Sequence, residues 1–304
     1  MFPAKIAEFI DRNLPATEYY LNEEMKKHTT FKTGGPADIL ILPYTISDLQ
    51  KLMHFLVQAQ IPYIIIGHGS NLLVGDKGVR EPVIKLEKNL SNCAVAGEVI
   101  EAEAGALIMD VAKLAQKQAL TGLEFACGIP GTVGGAVFMN AGAYGGEIKD
   151  VLEEVLVLTT GGNLQTRTVS ELNLGYRTSV IQKNGDLIVK AKFRLQKGDQ
   201  AAIQNRMNEL TRKREANQPL NFPSAGSIFK RPAGHYTGQL IQEASLKGYK
   251  IGGAQVSDKH AGFIVNTGNA TSSDIINLIR HIQAEVKKRF HVQLETEVRM
   301  IGEF

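Results

Sequence analysis

Between residues 128 and 146 the chain reads Gly-Ile-Pro-Gly-Thr-Val-Gly-Gly-Ala-Val-Phe-Met-Asn-Ala-Gly-Ala-Tyr-Gly-Gly, seven glycines in nineteen residues. Such density works against regular structure, because each glycine inside a helix or strand costs roughly 0.5–1 kcal/mol relative to alanine. A chain that carries it needs what a missing Cβ supplies, a left-handed turn or a close approach of backbone to another surface. A solvent-washed loop is the plain alternative. Ile129, Val133, Ala136, Val137, Phe138 and Met139 are interleaved with the glycines, however, and make the segment too apolar for water. The segment is expected to lie against a large flat ligand, with Gly134 at positive φ and its open face reserved for that ligand.

A second cluster, Gly67-His68-Gly69-Ser70-Asn71, directly follows a strand-like run over 62–66. Glycines there let successive N–H groups turn inward and form an anion-binding nest. The Rossmann fingerprint requires G-x-G-x-x-G opening a helix, yet position 72 is Leu, and Leu72-Leu73-Val74-Gly75-Asp76 reads as strand or loop. A phosphate outside the Rossmann setting and an ordinary glycine turn satisfied by Ser70 and Asn71 both fit this stretch.

At 304 residues one to three domains are expected. With 43% apolar and 21% charged residues the composition is globular, and 34 basic against 31 acidic residues leave a formal +3 with no long cationic run. Nucleic-acid binding through bulk charge is not expected. Cys93 and Cys127 belong to no CxxC pair, and the seven histidines show neither HExxH nor HxH, so no metal site is expected. The first eleven residues carry acids inside their apolar stretch and lack a signal-peptide core, and no apolar run approaches the roughly 18 residues that span a bilayer. The expectation is a cytoplasmic protein without membrane insertion; oligomeric state is not legible.

Helical spacing over 4–13 is followed by a strand over 37–42, a helix over 47–60 capped by Ser47-Asp48, and the strand over 62–66, which together predict a βαβ unit. Short strands over 83–86, 92–96 and 99–103 precede an amphipathic helix over 107–120. Strand runs over 151–158 and 187–195, with a Thr160-Gly161-Gly162-Asn163 turn after the first, lead to a helix over 199–216 and a boundary near 200–218. The last ninety residues read strand, helix, strand, helix, strand over 226–229, 237–246, 262–266, 273–290 and 294–301. Thr271-Ser272-Ser273-Asp274 resembles a capping box.

Three further polar clusters stand apart: Gly175-Tyr176-Arg177-Thr178-Ser179, Ser224-Ala225-Gly226-Ser227-Ile228-Phe229-Lys230-Arg231, and Leu294-Glu295-Thr296-Glu297-Val298-Arg299. Together they offer a cation for a carboxylate or phosphate, a hydroxyl on a glycine-flanked turn, and an acid in a terminal strand. Taken singly, each has a structural reading: Tyr176 packs, Arg177 pairs a surface acid, Ser227 caps a strand, and Glu295 and Glu297 are solvated. No G-x-S-x-G surrounds Ser227, so a hydrolase elbow has no support.

In their order, Gly67-x-Gly-Ser-Asn71, Gly128-Ile-Pro-Gly-Thr-Val-Gly-Gly-Ala136, Asn140-Ala-Gly-Ala-Tyr144, Tyr176-Arg177-x-Ser179, Gly226-Ser-x-Phe-Lys230 and Glu297-Val-Arg299 resemble the UDP-N-acetylenolpyruvoylglucosamine reductase (MurB) family over residues 28–303. The stretch from Arg177 to Ser227 leaves no room for the tyrosine-bearing insertion of the longer class, so the chain resembles the shorter one.

The resemblance implies an α+β fold: the FAD-binding fold of vanillyl-alcohol oxidase and p-cresol methylhydroxylase in two subdomains, 1–67 and 68–205, plus a C-terminal α/β substrate domain, 206–304. It implies non-covalent FAD, with Gly67, His68, Gly69, Ser70, Asn71 and Leu72 around the diphosphate. Gly131, Thr132, Val133, Gly134, Gly135, Asn140, Ala141 and Gly142 would lie along the flavin and its ribityl chain. It implies NADPH as hydride donor and the enolpyruvyl ether of UDP-N-acetylglucosamine as acceptor, reduced to UDP-N-acetylmuramate for peptidoglycan precursor synthesis. Arg177 would then polarise the enolpyruvyl carboxylate, Glu297 orient or protonate it, and Ser227 deliver the proton. Tyr176, Lys230, Arg231, Gln239, Lys259 and His260 would contact substrate. An aldonolactone-oxidase-like flavoenzyme, with His68 as a site of covalent attachment, and a non-catalytic sugar-nucleotide binding protein are the competing readings.

Overall fold

The computed structural model describes residues 2–304 and divides into two compact units, each assembled from separate stretches of chain. The first takes the chain up to Leu21, then Ile39–His68 and Glu81–Arg214; the second takes Asn22–Asp38, Gly69–Arg80 and Glu215–Phe304.

In the first unit the helix Ile46–Gln58 turns Leu49, Leu52, Met53 and Leu56 inward. Its cap lies earlier than the predicted Ser47-Asp48. Thr45 Oγ1 accepts the Asp48 N–H at 3.0 Å and the Asp48 carboxylate accepts the Thr45 N–H at 3.2 Å, a reciprocal box that satisfies two orphan donors. The predicted βαβ unit is also modified. Val83–Lys85 runs parallel between Pro36–Leu42 and Ile64–Ile66, with Val83 opposite Leu40 on one side and Ile64 on the other. The crossover therefore leaves a central place that a later strand fills, and fully buried Val83 and Ile84 suit that place.

A five-stranded antiparallel sheet follows in the order Leu164–Thr168, Leu152–Leu158, Leu187–Arg194, Val99–Glu103, Cys93–Ala96. Ala191, Phe193, Ile100 and Ala102 face the core. The other face is wet, with Lys190 on Glu101 at 2.9 Å and Lys192 on Glu154 at 2.7 Å. Alternation in these strands thus reads as a half-buried sheet, and the helices Ile108–Lys117 and Val133–Phe138 close the dry side.

The second unit has its own core, in which Phe31 and Leu73 join Ile228, Phe229, Ile241, Ile264, Ile279, Ile282 and Leu294. The helix Ser272–Phe290 carries the predicted Thr271–Asp274 capping box. Residues 226–229 are extended but pair only through single bridges, Ser227 with Phe263 and Phe229 with Thr296. A three-stranded antiparallel sheet, Lys250–Ile251, Ala254–Val256 and Ile264–Asn266, includes two strands the sequence reading lacked. They are two and three residues long, too short for periodicity to register. Leu72–Val74 pairs in parallel with Arg299–Ile301. Among the described residues no helix is long and apolar enough to cross a membrane.

Candidate active site

Much of the glycine density in the first unit is explained by protein meeting protein. A Cβ on Gly67 would stand 2.2 Å from Thr132 Oγ1, so the two glycine motifs press against each other. On Gly128 it would meet Arg214 Cδ at 2.7 Å, and on Gly146 the Phe125 ring at 2.6 Å. Gly134 does not have positive φ; it sits in the helix Val133–Phe138, where a Cβ would lie 3.0 Å from that of Ala104. Its bareness serves helix-on-sheet packing.

The donors opening that helix are taken. Val133 N–H goes to the Ala106 carbonyl and Gly134 N–H to the Ala104 carbonyl, both at 2.8 Å, while Thr132 Oγ1 accepts from Gly135 at 3.4 Å. The carbonyls are engaged as well, Gly131 with Ile108 N–H at 2.9 Å and Thr132 with Ala136 N–H at 2.8 Å, so exposed Gly135 and half-buried Gly131 and Gly134 offer bare Cα–H surface, suited to a flat face rather than a phosphate.

Gly142–Ala143 and Gly146–Glu147 form a hairpin whose turn residues Tyr144 and Gly145 both have positive φ, 54° and 89°. This is the twist that two-residue hairpin turns favour. Asn140, fully buried, holds the hairpin in place. Its amide donates to Glu147 Oε2 at 3.1 Å and to the Gly175 carbonyl at 3.0 Å, and its Oδ1 accepts the Lys149 N–H at 3.0 Å. The Gly175 bond ties the hairpin to the turn carrying Tyr176 and Arg177. Arg177 is left-handed, φ 56°, donates through Nη2 to the Gly142 carbonyl at 3.2 Å, and lies 5.2 Å over the Tyr176 ring. The Lys149 ammonium, and to a lesser degree Arg177, holds the Glu147 carboxyl below its usual range.

His68 closes the first glycine motif in this unit. Its Nδ1 lies 2.5 Å from Glu87 Oε1, and Lys85 Nζ lies 2.6 Å from Glu87 Oε2. Burial raises the Glu87 pKa, but hydrogen bonds from His68 and Lys85 outweigh it and bring the carboxyl down to about 2. Glu87 has no motif around it, and the sequence gives no signal for this pairing.

In the second unit Gly69, at φ 71°, packs so tightly on the 28–29 backbone that a Cβ would fall 2.1 Å from the His28 carbonyl oxygen. The Gly69 carbonyl accepts from Thr30 N–H at 3.3 Å and the Asn71 carbonyl from Arg299 N–H at 3.0 Å. Among the described residues no acceptor faces the N–H groups of Gly69, Ser70 and Asn71. The loop thus keeps its donors open while its carbonyls are engaged. Sequence reading passed over the supporting stretch 28–35, although Gly34-Gly35 was a signal: a Cβ on Gly35 would lie 2.1 Å from the Asp76 carbonyl oxygen.

Two of the three expected catalytic residues share this unit on adjoining backbone. Ile228 N–H donates to the Gly262 carbonyl at 3.0 Å, and the Ile228 carbonyl accepts Glu297 N–H at 2.8 Å. Ser227 therefore precedes the residue bonded to Glu297, and Asn71 Nδ2 reaches the Glu297 carbonyl at 3.1 Å. Lys230 N–H donates to the Glu295 carbonyl at 2.9 Å, with its Nζ 3.4 Å from the Glu295 carboxylate. His260 Nδ1 accepts Gly262 N–H at 3.1 Å, and burial lowers its pKa, which keeps the ring neutral. Arg231 stacks 3.9 Å over exposed Tyr236. Lys259 donates to the Glu215 carbonyl, and Gln239 donates to Glu243 along an exposed helix face.

Two families match separate stretches of the chain. Residues 37–167 fit the family described as FAD binding domain, and residues 218–301 the family described as UDP-N-acetylenolpyruvoylglucosamine reductase, C-terminal domain. The chain is 49% identical to the UDP-N-acetylenolpyruvoylglucosamine reductase of Alkaliphilus oremlandii over 98% of both chains. It is 50% identical to that of Enterococcus faecalis over 93% of this chain and 94% of the relative. The crystal structure of the Thermus caldophilus reductase superposes with a TM-score of 0.81 at 36% identity, covering 94% of this chain and 99% of that one. The expected fold, an FAD-binding α+β part followed by the reductase's C-terminal domain, therefore holds. By identity, coverage and fold, the chain belongs to the UDP-N-acetylenolpyruvoylglucosamine reductase family.

Proposed function

We propose that this chain is an FAD-dependent oxidoreductase that uses NADPH to reduce the enolpyruvyl ether of UDP-N-acetylglucosamine to UDP-N-acetylmuramate. The observation that carries the reading is the ladder through Ile228, which sets a glycine-flanked serine beside a glutamate on the next strand in a chain whose full length matches these reductases.

The residues present fit the cofactor. Open N–H groups over 69–71 suit a diphosphate and supply charge as amide dipoles, which explains how a nearly neutral chain holds a dianion without a lysine cluster. The Cα surface of Gly131, Val133, Gly134 and Gly135, with Thr132, Ala141 and Gly142, offers the close apolar approach a ring system needs, while the Asn140 side chain is committed to protein and braces this wall. His68 and Leu72 border the diphosphate loop. Bound there, the cofactor supplies two-electron hydride chemistry.

The chain's own residues meet the remaining demands. Hydride addition to a vinyl carbon leaves negative charge on the adjacent carbon and its carboxylate. Arg177, fixed through Gly142, stabilises that carboxylate, and Glu297 assists in its orientation or protonation. The Ser227 hydroxyl donates the proton to the carbon, a step open to so weak an acid only because a carbanion is strongly basic. Tyr176, Lys230, Arg231, Gln239, Lys259 and His260 supply cationic, aromatic and amide contacts suited to the nucleotide diphosphate and sugar. Neutral His260 fits a hydrogen-bond donor through Nε2, since Nδ1 already accepts.

The test is anaerobic. NADPH should bleach the flavin of the purified protein, and the enolpyruvyl UDP-sugar, but not pyruvate or UDP-N-acetylglucosamine, should restore its colour. Reoxidation by oxygen alone, or colour left in an acid-precipitated pellet, would favour an oxidase with attached flavin.

A further inference from the structure

We infer that Gln182 positions the Arg177 guanidinium for reduction of the enolpyruvyl substrate, by clamping the arginine's strained turn to the end of the helix Val133–Phe138. The inference rests on the reading that Arg177 meets the substrate carboxylate.

Gly175, Tyr176, Arg177 and Thr178 make a closed four-residue turn, in which Thr178 N–H donates to the Gly175 carbonyl at 3.3 Å and Gly175 N–H to the Thr178 carbonyl at 3.1 Å. Arg177 holds the third place at φ 56°, while Tyr176 stays out of the left-handed region. Positive φ at the third place alone is the demand of a type II turn, which glycine or asparagine ordinarily meets. Arginine meets it under strain, because its Cβ is brought close to the carbonyl oxygen that follows. Such strain persists only where the surroundings impose it, and it clusters at sites that need a side chain aimed.

Gln182 bonds to the strained residue itself. Its Nε2 donates to the Arg177 carbonyl at 3.2 Å and to the Phe138 carbonyl at 2.8 Å. An amide nitrogen carries two hydrogens, so both bonds form together, whereas the reversed amide would set its oxygen against two carbonyl oxygens. Phe138 ends its helix, where the last four carbonyls have no partner within the helix. Ser179 Oγ donates to the same Phe138 carbonyl at 2.7 Å. That bond fastens residue 179; the one from Gln182 fastens residue 177.

The clamp has a firm base. Gln182 lies in the short helix Ile181–Asn184, anchored by buried Ile181, and Val180 N–H just ahead of it donates to the Leu172 carbonyl at 2.8 Å. Without the clamp Arg177 can relax to negative φ, which swings its Cα–Cβ bond and draws the guanidinium off the Gly142 carbonyl that now receives it at 3.2 Å. Gln182 acts through Arg177 and is therefore a positioning residue.

The experiment is stopped-flow absorbance of the holoenzyme at pH 8, which separates flavin reduction by NADPH from reoxidation by the enolpyruvyl substrate. The proteins compared are the unaltered chain, Gln182→Met, Gln182→Glu, Arg177→Ala and the double variant Gln182→Met with Arg177→Ala. Methionine keeps the length of the side chain and removes both donors. Reoxidation in Gln182→Met should slow by about ten- to hundredfold, the scale of loss that a misplacement of about 1 Å produces. Flavin reduction should stay near normal, because no substrate carboxylate takes part in that half. In the Arg177→Ala background Gln182→Met should slow reoxidation no further, since no guanidinium is left to aim. Gln182→Glu keeps the shape but turns a carboxylate, which only accepts, toward two carbonyls, so its reoxidation should be at least as slow as that of Gln182→Met.

Normal reoxidation in Gln182→Met or Gln182→Glu, beside slow reoxidation in Arg177→Ala, overturns the clamp and leaves the role of Arg177 standing. Equal slowing of both halves, or the same further loss in the Arg177→Ala background, assigns Gln182 to general packing and also overturns it. Normal reoxidation in Arg177→Ala would instead remove the arginine from the chemistry, and the purpose of the clamp with it. If Gln182→Met does not fold, Gln182→Glu, unchanged in shape, decides alone.

Discussion

Gly67 and Thr132 meet so closely that the missing side chain of one is filled by the hydroxyl of the other: a Cβ on Gly67 would sit 2.2 Å from Thr132 Oγ1 and 3.1 Å from its Cγ2. The same hydroxyl caps the helix Val133–Phe138 by accepting the Gly135 N–H. The end of a strand in a parallel sheet and the start of a helix are thus locked through one threonine, and both glycine motifs take their positions from that contact.

Gly67→Ala should therefore destabilise the protein by about 1–3 kcal/mol, the usual result of overpacking, and loosen flavin retention. Thr132→Ala alone should lose about 1 kcal/mol through the cap. Combined, the two should be less damaging than their sum, because the alanine at 132 vacates the space the new methyl needs. Urea unfolding of the four proteins measures this coupling; strict additivity would show that the contact is not what excludes a side chain at 67.

Asn140 offers a second check. Its side-chain amide has three protein partners in a fully buried setting, so Asn140→Ala leaves the Lys149 N–H without its acceptor and weakens the bonding of the Gly175 carbonyl and Glu147 Oε2, which keep Thr178 N–H and Lys149 Nζ as partners. A loss of about 1–3 kcal/mol is expected, the usual cost of one buried group left unsatisfied. The turn bearing Arg177 loses its tether at Gly175, so the KM for the enolpyruvyl substrate should rise more than that for NADPH. Equal changes in both would remove Asn140 from the positioning of Arg177.

Most of this architecture was legible because it is written in periodicity. The stripe Leu49, Leu52, Leu56 found its helix, and Thr271 to Asp274 found its cap. The glycine motifs were located correctly but given too simple a purpose. Gly128 and Gly146 are bare because Arg214 and Phe125, distant in sequence, lie on them, and single-chain spacing holds no record of such partners. Glu87 was invisible for a related reason: its role comes from sheet register, which sets Lys85 opposite Ile66 two residues before His68. Where the chain returns through Gly69–Arg80 to join the C-terminal strands, the pairing of Leu72–Val74 with Arg299–Ile301 depends on topology that local patterns do not encode.

Asp76 shows how that returning segment is held. Its carboxylate accepts Ser272 N–H at 2.7 Å, Ser273 N–H at 2.8 Å and the Ser273 hydroxyl at 2.6 Å at the start of the helix Ser272–Phe290. Burial raises its pKa, but these hydrogen bonds outweigh that and lower it below the ordinary 3.8. A depressed carboxyl contributes stability above its unfolded pKa and loses it as pH falls through the folded one. Asp76→Asn should accordingly lower the melting temperature at pH 7, with the gap to the unaltered protein closing as the pH drops below about 3.8. A gap constant from pH 7 to pH 3 would mean the charge is irrelevant.

The last expectation concerns Ser227, whose strand is bonded on one side to Gly262 and on the other to Glu297. Hydride and proton reach the substrate at different carbons and from different sources, so the two half-reactions should separate under mutation. Ser227→Ala should leave flavin reduction by NADPH near normal, because that half needs no proton at a substrate carbon. Reoxidation by the enolpyruvyl substrate should slow by at least about 10²–10⁴-fold, the usual contribution of a positioned general acid, and by more where water cannot reach the carbanion. Ser227→Cys should recover part of the rate, since a thiol still donates. If hydride transfer is reversible, the alanine protein should also pass deuterium from reduced flavin into the vinyl position of recovered substrate. Stopped-flow absorbance follows each half separately. Equal slowing of both would assign Ser227 to binding or folding, and normal reoxidation by substrate would take it out of the proton transfer.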